Sequence, residues 1–170
     1  MESIKNINNE FSITDVDITF NNLSEIYGDL TVDLTNKNTL SLPVNGYFIP
    51  DSKEQNKNTF HTTIDDVYEY FSQSEELAFD VYSDDEDINY LSLHSDSFWL
   101  GTFIISSVIS PVFIGLLTNY IYDKLKAKKE DQISIEVIVD SGTKKSKSIR
   151  FRGKVEGLDK AIEAINKLND

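Results

Sequence analysis

The sequence predicts an α+β fold in three parts: a β-rich N-terminal unit, a long apolar helix kinked or divided at Pro111, and a C-terminal β-β-α unit. Three observations carry this expectation. Apolar residues alternate with polar ones at a period of two on both flanks, an uncharged run from Phe98 to Tyr122 separates the flanks, and helical spacing returns near the end. The corresponding boundaries are residues 1–95, 96–129 and 130–170.

In the first part, Val16, Ile18 and Phe20 alternate with polar residues before Asn21-Asn22 and Tyr27-Gly28-Asp29 interrupt them. Leu30, Val32 and Leu34 share one face of an alternating stretch, Asn36-Lys37-Asn38 supplies a turn, and Leu40, Leu42 and Val44 resume the pattern. This predicts a hairpin. Asp51 to Asn58 reads as a polar loop. From Thr63 the period changes: Ile64, Val67, Tyr68 and Phe71 recur at helical spacing, Thr63 is placed to cap, and Asp65 and Asp66 suit the positive end of the helix dipole. The predicted helix runs to about Glu76. Phe79–Tyr82 and Ile88–Leu93 then read as a second hairpin with an acidic tip.

The 25 residues from Phe98 to Tyr122 contain no Asp, Glu, Lys, Arg or His. As one helix they would extend roughly 37 Å, more than the ~30 Å hydrocarbon core of a bilayer requires. Phe98 and Trp99 at the start, Tyr120 and Tyr122 at the finish, and Lys124 and Lys126 just beyond suit the two membrane interfaces. Asp96 can cap the start. Thr102, Ser106 and Ser110 are spaced by four and, with Gly115, predict a small-residue face for close helix packing and self-association. The lysines place the C-terminal tail in the cytosol, so residues 1–97 would be exported, yet Met1 to Asn9 lack the apolar run of a cleaved signal. That conflict argues for the alternative, a soluble core helix or a helical hairpin broken at Ser110-Pro111.

The tail reads more simply. Ile133, Ile135, Val137 and Val139 alternate, Ser141-Gly142-Thr143 turns the chain, Ile149 and Phe151 mark a return strand, and Leu158, Ala161, Ile162, Ile165 and Leu168 fall on one helical face. Two strands and a helix bury too little surface to stand alone, so the unit must dock on something. Its hairpin crowds Lys144, Lys145, Lys147, Arg150, Arg152 and Lys154, a candidate anion-contact surface for phosphate or anionic lipid. The competing reading is a solvated charged face that complements the acidic half of the same or a neighbouring chain. Nucleic acid is disfavoured, because no aromatic residues interleave to stack bases.

Charge is distributed unevenly. Residues 1–97 hold 20 acidic and 4 basic side chains, a balance of −16, and residues 98–170 hold 9 acidic and 12 basic, a balance of +3, which together give the net −13. With no cysteine, disulfides, thiolate metal sites and a cysteine nucleophile are excluded. No phosphate-binding loop, serine-hydrolase elbow or zinc-protease motif occurs, so no catalytic residue, cofactor or metal is assigned. His61 and His94 are isolated and read as surface or strand histidines. Asp80, Asp84, Asp85, Glu86, Asp87 and Asn89 could gather round a hard cation, but they lack the glycine and spaced glutamate of a calcium loop.

An apolar helix ending in Asn119-Tyr120-Ile121-Tyr122-Asp123-Lys124-Leu125-Lys126, followed by a hairpin and a short helix from Leu158 to Leu168, resembles small accessory components of bacterial conflict and anti-phage systems. The resemblance spans residues 96–168 and implies a non-enzymatic adaptor. The leading expectation is therefore a single-pass membrane-associated interaction subunit with a protein partner, oligomeric through residues 98–122. The alternative is a soluble acidic inhibitor or immunity-type protein that masks a basic surface of a toxin or nucleic-acid enzyme.

Overall fold

The computed structural model describes residues 10–44, 58–83, 88–91 and 98–167. Its centre is a mixed six-stranded sheet in the order β1-β8-β7-β6-β2-β4, built from β1 (Glu10–Val16), β2 (Thr39–Leu42), β4 (Phe79–Val81), β6 (Phe98–Ser106), β7 (Gln132–Asp140) and β8 (Ser146–Lys154). β6 lies parallel to β7 and antiparallel to β2, and β2 lies parallel to β4. A separate parallel pair joins β3 (Thr59–His61) to β5 (Asn89–Leu91). Strands from all three sequence segments share the large sheet.

The uncharged run is not one helix. Phe98 to Ser106 is strand β6, a turn follows at Ser107–Ile109, and helix α3 occupies Ser110–Asn119 before a widened π turn at Tyr120–Lys124. β6 is interior to the sheet and covered on both faces, so every residue from Leu100 to Ile105 is buried. A strand buried twice over loses its polar alternation and reads as a continuous apolar run. Pro111 sits in the first turn of α3, where its missing N–H costs nothing and its fixed φ starts the helix. It therefore marks a strand-to-helix boundary and not a kink. No helix among the described residues is long and apolar enough to cross a membrane, which overturns the transmembrane expectation.

The N-terminal part also departs from its predicted hairpins. β1 pairs with β8, far along the chain. Phe20–Asn22 and helix α1 (Leu23–Tyr27) are helical, and Leu30 to Leu34 form no strand. β2 pairs with β6 and β4. β4 and β5 do not pair with each other; each takes a parallel partner instead. Local alternation cannot distinguish a hairpin partner from a distant one. Helix α2 (Ile64–Phe71) forms where predicted but ends before Glu76, and the Thr63 hydroxyl donates to the Trp99 carbonyl at 3.0 Å instead of capping.

The β-β-α tail forms as read, with helix α4 at Asp159–Lys167. Helices α2, α3 and α4 cover one sheet face over a core that includes Phe71, Phe103, Phe113, Val137, Ile149 and Ile165. On the other face, Leu23 and Tyr27 of α1 close over Leu40, Leu42, Ile104 and Ile138. Between β3 and β6 the backbones approach closely. Gly101 lies at φ +87° beside a register shift, and a Cβ there would stand 2.9 Å from His61 Cδ2, so only glycine fits without displacing the imidazole.

Candidate functional site

The proposed helix-packing stripe is dispersed by the strand–helix break. Thr102 is buried in β6, Ser106 is half-buried at its end, Ser110 is buried at the start of α3, and Gly115 is exposed with open space beside it. They share no face. Of the proposed interface residues, Phe98 and Trp99 are half-buried at the start of β6 and Tyr120 is fully buried, while Tyr122, Lys124 and Lys126 are exposed. The Tyr120 ring packs on Tyr70 and Phe71, and its hydroxyl finds no hydrogen-bond partner among the described residues. Burial, and then the charge of Asp66, push its pKa up to about 12.

The basic hairpin is largely answered by acids of the same chain. Lys147 bonds Asp15 across the β1–β8 ladder, and this contact holds the Asp15 carboxyl below its ordinary range. Arg152 lies 3.7 Å from Glu10, with its guanidinium 5.1 Å from the Trp99 ring centroid. Arg150 Nε donates to Glu136 at 2.9 Å. Lys144 and Lys145 remain exposed at the turn, with Lys145 close enough to Asp15 to lower its pKa further. Of the three acids met, Asp15 and Glu10 come from the acidic half of the chain and Glu136 from the strand that pairs with β8.

Glu136 occupies a polar position of the alternating strand β7, yet it is 2% exposed. Its carboxylate accepts from Thr102 Oγ1 at 2.9 Å, Ser148 Oγ at 2.6 Å and Arg150 Nε, linking β6, β7 and β8 on the face that α1 covers. Burial raises the Tyr27 phenol above its ordinary range, and the Glu136 charge adds to the effect. A signal for this pair existed: a hairpin turning at Thr143 sets Glu136 directly opposite Arg150.

The second half of the acidic unit forms a different surface. Helix α2 buries Ile64, Val67 and Phe71 and turns Asp65, Asp66, Tyr68 and Glu69 outward. Tyr68 is 47% exposed and Tyr90 on β5 is 52% exposed. The Tyr90 hydroxyl donates to both Asp65 carboxylate oxygens, at 2.9 and 3.1 Å, which raises its own pKa. Beside this pair lies a cleft of about 230 Å³ with an apolar floor of Ile64, Val81 and Ile88 and a rim of Asp65, Tyr68, Asp80 and Ser83. An aliphatic stem can lie on that floor while a cation meets the carboxylates and the tyrosine face. A larger pocket of about 360 Å³ opens on the opposite sheet face between α1 and residues 29–37. Of its lining groups, Asp33 accepts from the Thr35 N–H and hydroxyl, Lys37 lies 3.9 Å from Asp80, and the Tyr82 hydroxyl donates to the Gly28 carbonyl at 2.8 Å.

His61 is buried in β3 and stacks on Trp99 with ring centroids 6.3 Å apart. Burial pushes its pKa down to about 4 from 6.5. The unfolded chain takes up this proton near pH 6.5 but the folded chain only near pH 4, so the His61 contribution to stability is full above pH 6.5 and falls as pH drops. The whole shift corresponds to on the order of 3 kcal/mol. Urea melts should therefore show that His61→Leu loses roughly 2 kcal/mol less than the wild type between about pH 7 and 4.5. Parallel pH profiles for the two proteins would refute this assignment.

No group of three or more His, Asp or Glu residues among the described ones is placed to hold a metal ion. The Asp84–Asp87 turn, His94 and Asp96 lie outside the described residues. Comparison of the chain with protein-family models, characterised proteins and solved structures finds no match.

Proposed function

We propose that this protein is a non-catalytic, acidic binding protein of the inhibitor or immunity type, whose α2–β5 face masks a basic surface on a toxin or nucleic-acid enzyme. The observation that carries the reading is the separation of charge. Cations of the C-terminal hairpin meet Asp15, Glu136 and Glu10 within the chain, whereas Asp65, Asp66 and Glu69 face outward beside two exposed tyrosines. No lysine or arginine occurs between Lys57 and Lys124, and Lys37 reaches this surface only at Asp80 on the cleft rim, 3.9 Å away, among the ion pairs of the described residues. Tyrosines with polar tips are favoured anchors of protein interfaces, and the acids supply steering and register.

The test is titration calorimetry against proteins encoded beside this one, with a histone as a control for generic charge attraction. A basic neighbour should bind, more weakly as salt rises. Tyr68→Ala and Tyr90→Ala should each weaken it about 10- to 100-fold, and Asp65→Lys with Glu69→Lys at least as much. Retained binding by the charge-reversed variant, or histone binding as tight as that of any neighbour, would sink the reading.

A further inference from the structure

We infer that the chain associates with a second copy of itself through the outer edge of β1, extending the sheet across a twofold axis. Among the described residues β1 is the terminal strand on one side of the six-stranded sheet, and it is seven residues long. An edge strand points alternate N–H and C=O groups away from the sheet, and natural edges are usually blunted by charge, proline, bulges or shortness. The opposite edge is blunted in this way, since β4 has three residues with Asp80 in the middle. β1 is not. Its centre reads Phe11-Ser12-Ile13-Thr14, without charge, glycine or proline, and its pairing with β8 is regular throughout.

The side chains add a second argument. Phe11 and Ile13 stand opposite Phe151 and Ile149, so they continue the apolar face of the helical layer. Phe151 and Ile149 are buried, but Phe11 is 42% and Ile13 45% exposed. The acids at the strand ends have partners within the same sheet, Glu10 lying 3.7 Å from Arg152 and Asp15 bonding Lys147, which weakens the repulsion between like edges.

The strand's own pattern selects a second copy as the occupant. With the twofold axis at Ser12, antiparallel pairing sets Phe11 against Ile13 of the second copy and Glu10 against its Thr14. Apolar meets apolar on one face, and no two charges meet within the described strand. Moving the axis to Ile13 would instead set Phe11 against Asp15. A one-residue slip would place apolar residues on the wrong face. The contact is short, so the dimer should be weak, with Kd on the order of 10 μM.

Sedimentation equilibrium of the full chain tests this. The mass should rise from 19.4 kDa toward twice that value as concentration increases through the micromolar range. Ile13→Lys and Phe11→Lys alter exposed positions and should leave a folded monomer by circular dichroism, whereas Val108→Lys, at a 79% exposed position beyond the end of β6, should dimerise like the wild type. Hydrogen exchange gives a readout independent of any variant: the β1 amides that point away from β8 should slow as wild-type concentration rises. A wild-type monomer at about 200 μM overturns the inference, as does an Ile13→Lys dimer or a dimer with unprotected β1 amides. Protection of β1 only when a different protein is added would assign the edge to that protein and also overturn it.

Discussion

Replacing Glu136 with alanine is expected to destabilise the protein by about 3–5 kcal/mol, a large share of the roughly 5–15 kcal/mol that holds a domain together. The carboxylate is 2% exposed and receives three hydrogen bonds from the two neighbouring strands, one from β6 and two from β8. Its removal takes an acceptor from the buried Thr102 and Ser148 hydroxyls and the carboxylate that the Arg150 Nε meets. Glu136→Gln keeps the shape but turns an amide donor toward existing donors, so it should lose less than alanine, about 1–3 kcal/mol. If the loss comes from orphaned partners, removing one of them with the carboxylate should help. Glu136→Leu combined with Arg150→Met removes the guanidinium as well and refills the buried end of the site, so it is expected to recover part of the alanine variant's loss. Denaturant melts of these proteins, with Glu136→Leu and Arg150→Met alone to complete the cycle, measure the coupling. A Glu136→Ala protein within about 1 kcal/mol of the wild type would mean that the three strands do not depend on this carboxylate.

Legibility in the sequence followed the distance over which each element finds its partner. The β7–β8–α4 unit is local, with period-two alternation, a glycine turn and a helical face within one stretch, and it was readable residue by residue. Helix α2 was readable for the same reason, although Thr63 uses its hydroxyl elsewhere. The strands before it were misassigned because their partners are remote: β1 pairs with β8 and β2 with β6. Phe98 to Tyr122 misled most. Lack of charge reports burial, and burial on both faces of a sheet followed by burial of a helix satisfies it as well as lipid does. Ser110-Pro111 carried the missing information, because proline is as suited to the first turn of a helix as to a kink inside one. The basic hairpin was legible as a cluster, but the acids that answer it, Glu10 and Asp15, arrive from the far end of the chain.

The acidic α2–β5 face depends on how firmly α2 is held, and Phe71 holds it. Helix α2 has eight residues, too few to be stable without packing. The Phe71 ring is fully buried, with ring centroids 5.5 Å from Phe79, 5.9 Å from Phe103, 5.8 Å from Phe113 and 5.9 Å from Tyr120. It joins α2 to β4, β6, α3 and the π turn that follows, so Phe71→Ala opens a cavity where five elements converge. The expected cost is about 3–5 kcal/mol, against roughly 1–1.5 kcal/mol for Phe71→Leu, which refills most of the volume. The effect should reach the docking face before the whole fold is lost. Asp65, Asp66, Tyr68 and Glu69 ride on the same helix, so a loosened α2 should exchange its amides faster than β7 does and bind a basic partner more weakly. Phe71→Leu should retain both α2 protection and binding. Equal loss of protection in α2 and β7 in the alanine variant would show that Phe71 supports the domain as a whole and not this helix in particular.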